Sequence, residues 1–171
     1  MADPVTIILV AGQHSYSGLL DNRGLRVLDI LNDPGTEFLH LTKVAVHRKF
    51  FETDVKHLGE VTLPKVGVDF VLLEQGKHEA PLRRQNARVE KRSYSAFAVL
   101  GDYEIQGTLM LSGSPDPVRA LSRELSTFFP MTHAKLSVRG APKDPVAAGI
   151  ALISKSKVSL LHIEPHAQSA S

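Results

Sequence analysis

The chain has 171 residues and contains no cysteine and no tryptophan. Without cysteine there is no disulfide, no thiolate-ligated metal centre and no cysteine nucleophile. Long apolar runs are also missing, since stretches such as Val5 to Ala11 fall far short of the ~20 residues of a membrane-spanning helix. The N-terminal residues Met1 to Pro4 show neither the basic nor the apolar region of a signal peptide. These absences predict a soluble, cytoplasmic protein.

Aromatic residues and excess charge are scarce as well. Aromatic side chains make up 6% of the chain and hydrophobic residues 43%, so aliphatic side chains must fill the core. The formal net charge is +2, well below the strongly basic character of a dedicated nucleic-acid binder. The length suits one ordinary domain or two small ones.

Motifs that carry common chemistries are missing too. The sequence contains no Gly-x-x-x-x-Gly-Lys-[Ser/Thr], no Gly-x-Gly-x-x-Gly and no Gly-x-Ser-x-Gly. Residues Ser112 to Asp116 resemble a serine elbow only superficially, and turn chemistry favours a loop that leads into a helix cap. We therefore assign no catalytic residue and expect no cofactor.

The same pattern occurs twice along the chain, in residues 5–73 and 94–153. A duplicated unit of this size sets the architecture before any single residue does. Thr42 and Thr132 occupy the same place in the two copies, where a threonine can bond a backbone group at a bend. The matching blocks are Val5–Gly12 with Tyr94–Gly101, Gly18–Leu20 with Gly107–Leu109, and Phe38–Val46 with Phe128–Leu136.

Each copy is predicted to run strand, strand, helix, strand, strand. Gly12 and Gly101 suit the first position of type II′ hairpin turns. Asp116 is the predicted cap of the second helix, followed by Pro117 at its first position. The last shared strand is predicted at Val66–Leu73 in one copy and Val146–Ile153 in the other, after a longer excursion over 47–64 in the first, with a closing strand at Val158–Ile163.

This pattern predicts an α+β fold that is mainly β. Two tandem units would form small bent sheets or partial barrels related by a pseudo-twofold axis, because an open four-stranded sheet needs a cover for its edge. One barrel, two barrels and one continuous sheet all remain open. The predicted divisions are 1–76 for the first unit, 77–93 for a basic linker or short helix, 94–165 for the second unit and 166–171 for a flexible tail.

A basic stretch joins the two copies. If residues 82–92 are helical, Arg84, Arg88 and Arg92 form one stripe, and with Arg83 they are candidate contacts for an anion or an acidic partner. Aromatic residues for base stacking are not interleaved with them, which disfavours single-stranded recognition. A solvated linker explains the stretch more simply.

The eight histidines raise the question of a metal site. Asp54 and His57 could supply two ligands from one turn, with His47 from a neighbouring strand end, as an imidazole and carboxylate site requires. Ordinary solvated histidines in a surface loop are the simpler interpretation. We therefore assign no metal ligand.

Residues 18–46 resemble a family of uncharacterised bacterial proteins, a domain of unknown function. The similarity rests on Gly18-Leu19-Leu20, on the Arg26–Asn32 pattern Arg-Val-x-Asp-x-Leu-Asn, and on the Phe38–Thr42 pattern Phe-Leu-x-Leu-Thr. The second copy departs from it at Ser122–Ser126. The resemblance implies a compact bacterial domain, often found beside other modules, and implies no reaction.

Three functional hypotheses follow. The first is a non-enzymatic adaptor or assembly subunit, which binds a protein partner or itself through exposed strand edges. The second is a nucleic-acid or nucleotide-signal binder that uses Arg83, Arg84, Arg88 and Arg92. The third is a metal-dependent enzyme centred on His47, Asp54 and His57, which ranks last because no second shell of ligands is evident.

Overall fold

The computed structural model describes residues 3–48, 53–74, 90–141 and 144–167. Within these ranges the protein is mainly β, and ten strands form one antiparallel sheet. The strands are β1 (Val5–Ala11), β2 (His14–Leu20), β3 (Phe38–His47), β4 (Val55–Pro64), β5 (Phe70–Leu73), β6 (Arg92–Leu100), β7 (Tyr103–Leu111), β8 (Phe128–Val138), β9 (Val146–Ser154) and β10 (Leu160–Ile163).

Short helices connect the strands of each half of the chain. Asp116 caps the second helix as predicted, because its Oδ1 accepts the Val118 N–H at 3.0 Å. None of the helices in the described ranges is long and apolar enough to cross a bilayer. The helices are α1 (Val27–Asn32) and α2 (Pro117–Arg119), the latter continuing as a π-helical turn at Ala120–Glu124, and 3₁₀ turns lie at Lys65–Gly67 and Lys155–Lys157.

The strand order is β10-β6-β7-β8-β9-β5-β1-β2-β3-β4. The first half of the chain supplies β5-β1-β2-β3-β4, and the second half supplies β10-β6-β7-β8-β9 in the corresponding order. The halves meet where β9 pairs with β5, from Phe70 opposite Ile153 to Leu73 opposite Ile150. Of the three arrangements that the sequence left open, the protein therefore adopts one continuous sheet.

The predicted pseudo-twofold axis is not present. A twofold axis that exchanged the halves would carry the β9–β5 pair onto a β4–β10 pair. Among the described residues β4 and β10 instead lie at opposite ends of the sheet. The halves follow each other head to tail, which leaves one strand edge of each half open.

The predicted match between the last strands was also wrong. Val146–Ser154 forms β9, which holds the fourth place in its half, and its counterpart is β4 at Val55–Pro64. The segment from Val66 contributes to a 3₁₀ turn and then to β5. Strand β4 therefore lies in the stretch that was predicted to be an excursion. It was missed because most of its residues are exposed and show no apolar run.

Both hairpin turns agree with the prediction. Gly12 and Gly101 adopt φ of +60° and +57°, as the first position of a type II′ turn requires. Each half also has a β-bulge opposite its second glycine. Lys43 and His133 are the bulged residues, with φ of +51° and +50°, so Thr42 and Thr132 do precede a bend.

A side chain at the second glycine would collide with the bulged strand. A Cβ at Gly107 would lie 2.8 Å from the Thr132 carbonyl oxygen, and one at Gly18 would lie 3.1 Å from that of Thr42. The Gly-x-Leu pattern of both halves therefore reflects close approach of two backbones.

Two hydrophobic cores lie on opposite faces of the β9–β5 junction. Val71 and Leu152 belong to the core of the first half, whereas Phe70 and Ile153 belong to the core of the second. Alternation along a strand directs successive side chains to opposite faces, so each junction strand contributes to both cores. This explains why all four residues of β5 are buried.

Two lysines bond the carbonyl groups at the ends of the helical segments. The Lys65 ammonium donates to the carbonyl oxygens of Ile30 and Asp33 and to the hydroxyl of Thr36. The Lys155 ammonium donates to the Leu125 carbonyl at 3.0 Å. Each lysine satisfies carbonyl groups that a helix terminus leaves unpaired.

We expect Gly107→Ala to destabilise the protein by about 1–3 kcal/mol, because the new methyl group must displace the Thr132 carbonyl. The matched control is Gly59→Ala in β4, where a Cβ meets nothing within 4 Å. Urea unfolding of both variants measures the difference. Equal effects of the two substitutions would contradict the close approach at Gly107.

Candidate functional site

The two outer edges of the sheet are the most distinctive surface of the described residues. Here "the outer edges" means the unpaired sides of β4 and β10. The Lys65 N–H bonds the Glu37 carbonyl, and ladder bonds alternate along a strand. The backbone N–H and C=O groups of Glu60 and Thr62 therefore point outward. In β10 the Glu164 N–H donates to the Ser95 carbonyl of β6. By the same alternation, the backbone N–H and C=O groups of Leu161 and Ile163 point away from β6.

Positions that are buried at the inner junction are exposed at the outer edges. Leu160 begins β10 and is 49% exposed, whereas Phe70, which begins β5, is 0% exposed. Phe38 begins β3 and is 58% exposed, whereas Phe128, which begins β8, is 3% exposed. β5 has a neighbouring strand on each side, whereas β10 has one among the described residues. β3 and β8 both have two neighbours, but α1 also packs against β8, the strand that Phe128 begins.

Of the seven exposed large apolar side chains among the described residues, two lie in β4 and β10 and three lie in segments next to these strands. On the β4 side they are Phe38, Leu58 and Val66, and on the β10 side they are Leu160 and Val118 of α2, which packs near β10. Such clustering marks an interaction surface more often than isolated apolar residues do. The other two, Leu25 and Met110, lie neither in β4 or β10 nor in a segment next to them.

An apolar groove adjoins the end of β4. It encloses about 420 Å³, and both halves line it through corresponding segments. The side chains of Phe38 and Val66 belong to this groove and are largely exposed. The groove residues are Leu31, Glu37, Phe38, Pro64, Lys65, Val66, Thr127, Phe128, Ser154 and Ser156.

One polar contact fixes the two halves beside this groove. The Asn32 side chain accepts the Phe128 N–H at 2.8 Å and donates to the Phe128 carbonyl at 2.9 Å. It thereby pairs the end of α1 with the start of β8 as a neighbouring strand would. Sequence reasoning missed this contact because Asn32 and Phe128 lie 96 residues apart.

A second pocket lies between the hairpin turns of the two halves. It encloses about 400 Å³ and includes Gly12, Asp69, Gly101, Arg139 and Lys157 in its lining. The Gly12 N–H donates to Asp69 Oδ2 at 2.9 Å. Burial raises the pKa of Asp69 more than this hydrogen bond and the Lys157 charge lower it.

The structure brings only part of the predicted arginine cluster into view. Arg83, Arg84 and Arg88 lie outside the described residues. Arg92 is exposed at the start of β6, where it pairs with Leu111. It is therefore not on a helix with the other three, and the proposed stripe does not include it.

Within the described residues, the structure does not bring His47, Asp54 and His57 together as a group of three metal ligands. His47 ends β3 and His57 lies in β4, diagonally across the pair, since Val55 is opposite His47 and Ala45 is opposite His57. Asp54 is exposed just before β4. The described part of the chain contains no group of three or more histidine or acidic side chains placed to hold a metal ion.

The Ser112–Asp116 segment is a loop, as turn chemistry predicted. The Ser112 hydroxyl donates to Glu124 Oε1 at 2.7 Å. Burial alone would raise the pKa of Glu124, but bonds from Ser112 and Gly113 and the Arg119 charge lower it overall. The serine thus contacts an ionised carboxylate that holds the loop against the π-helical turn.

Comparison of the chain with protein-family models, with curated proteins and with solved structures finds no match.

We expect Asp69→Asn to stabilise the protein at pH 7, since asparagine can keep the Gly12 bond without an ionised group. A raised pKa in the folded state means that ionisation of Asp69 costs stability as the pH rises from the ordinary pKa of about 3.8 to the raised one. Well below the ordinary pKa the wild-type carboxyl is protonated in both states, and the advantage of the variant disappears. Urea midpoints of both proteins at pH 7 and pH 2.5 measure this. A variant that is less stable at pH 7 would show that the Lys157 attraction dominates.

Proposed function

We propose that this protein is a non-enzymatic interaction and assembly subunit, built from a duplicated β-rich unit, that binds a protein through its outer edges. The observation that carries the proposal is the coincidence of unpaired strand edges with clustered exposed apolar side chains. Unpaired N–H and C=O groups are a template for another strand, and the apolar groove beside β4 adds a surface that gains from being covered.

The duplication is supported by features that recur at corresponding positions. The strand order is the same in both halves. The bulged residues Lys43 and His133 both adopt positive φ. Lys65 and Lys155 both bond carbonyl groups at the end of the preceding helical segment. Unrelated halves have no physical reason to share all three.

The assembly role also fits the chemistry of the described side chains. The clusters of polar side chains form hydrogen bonds that fix loops and helix ends. Examples are the bond from the Ser112 hydroxyl to Glu124 and the bond from the Lys65 ammonium to the Asp33 carbonyl. The nucleic-acid alternative stays a prediction, because three of its four arginines lie outside the described residues. An interaction surface is thus the function that the geometry favours.

We expect the double variant Phe38→Asp/Val66→Asp to lose association with other protein chains, because it places two charges on the rim of the apolar groove. Both residues are exposed, so folding should be unaffected. Sedimentation velocity and affinity capture with the purified protein measure association, and circular dichroism checks the fold.

The matched control is Leu25→Asp/Met110→Asp, which places the same charges on exposed apolar residues that do not line the groove. We expect this control to associate like the wild type. A wild-type protein that stays a monomer and captures no protein would contradict the proposal. Equal loss of association in both variants would contradict the location of the site.

A further inference from the structure

We propose that the protein that binds the outer edges is a second copy of this chain, with β4 of one molecule pairing antiparallel with β10 of the next. The inference rests on the proposed interaction function and names its partner. Its basis is the inner junction, where the fourth strand of the second half pairs with the fifth strand of the first. The same two kinds of edge are the ones that remain open at β4 and β10.

The inner junction also defines the register of the outer one. Leu160 follows Phe70 by 90 residues, and Ser154 follows Pro64 by the same 90. The observed pair Phe70–Ile153 thus corresponds to Leu160 of one copy opposite Leu63 of the next. The remaining pairs are Leu161 with Thr62, His162 with Val61, and Ile163 with Glu60.

The hydrogen-bonding groups match this register. At the inner junction the Ser154 N–H bonds the Asp69 carbonyl, so Leu152 and Val71 are a hydrogen-bonded pair by alternation. Their counterparts at the outer edges are Thr62 and Leu161, whose backbone groups point outward. The two edges are therefore complementary without any shift of the strands.

The apolar surfaces beside the edges match as well. At the inner junction α1 packs against β8, and Phe128 at the start of β8 is buried. The corresponding contact places α2 of one copy on β3 of the next. Val118 of α2 and Phe38 of β3 are both largely exposed, and this contact would cover them.

The outer junction is expected to be weaker than the inner one. Glu60, Thr62 and His162 replace the apolar residues that the inner junction buries at these places. Pro64 has no N–H to repeat the bond that Ser154 makes. Association should therefore depend on concentration. A head-to-tail contact of this kind gives rings if its rotation closes and filaments if it does not.

The test is a disulfide between two single-cysteine variants, which is clean because the chain has no cysteine of its own. Val61→Cys and His162→Cys are opposite each other in the proposed register, at a non-hydrogen-bonded pair where Cβ atoms approach most closely. Mixing the two variants under mild oxidation should give a covalent dimer in high yield. Lys56→Cys mixed with His162→Cys is the off-register control, and it should crosslink at least tenfold more slowly.

The outcomes separate this inference from the proposed function. If the wild type associates with itself but Val61→Cys and His162→Cys crosslink no faster than the control, the pairing is wrong and the interaction function stands. If another protein binds the edges and the chain never self-associates, the partner is wrong. A monomer that binds no protein overturns both.

A backbone variant provides an independent test. Thr62→Pro removes an outward N–H while leaving the bonds to β3, and it should raise the dissociation constant of self-association about tenfold. Thr62→Val keeps the N–H and should leave the dissociation constant within twofold of the wild-type value. Equal dissociation constants for the two variants would overturn the proposed strand pairing.

Discussion

The antiparallel pairing of β9 with β5 is the contact on which the rest of the structure depends. It joins the two halves into one sheet, and its alternating side chains enter both hydrophobic cores. Leu152 supports the first core and Ile153 the second, so neither core is complete without a strand from the other half. Full burial of one such side chain contributes about 1.5–3 kcal/mol, so each half gains stability from the strand that the other half supplies.

This junction also explains why the outer edges exist. Each half has its fourth strand at one side and its fifth strand at the other. The contact between the halves uses the fourth strand of the second half, β9, and the fifth strand of the first half, β5, so β4 and β10 are not part of it. Phe128 and Phe70 lie near the junction and are buried, whereas their counterparts Phe38 and Leu160 lie near the outer edges and are exposed. The chain order therefore determines which of the corresponding apolar residues remain available to a partner.

Part of the fold could be predicted from short stretches of the sequence. Gly12 and Gly101 indicated hairpin turns, Asp116 indicated a helix cap, and alternating or continuous apolar residues indicated most of the strands. The match failed after Val46, because β4 is mostly exposed and lacks the apolar run of β9, so Val146–Ile153 was matched to Val66–Leu73 instead. Arg92 begins β6 and pairs with Leu111, so the predicted helix over 82–92 does not extend to it, and the other three arginines lie outside the described residues.

By itself, the sequence determined the hairpin turns, the Asp116 cap and the mainly β character, since these depend on backbone conformations and apolar patterns within a few residues. Only the tertiary structure decided that the halves join through β9 and β5, that Asn32 holds Phe128, and that β4 and β10 are the end strands of the sheet formed by the described residues. Those outcomes depend on contacts between residues far apart in the chain, which patterns within a few residues do not reveal.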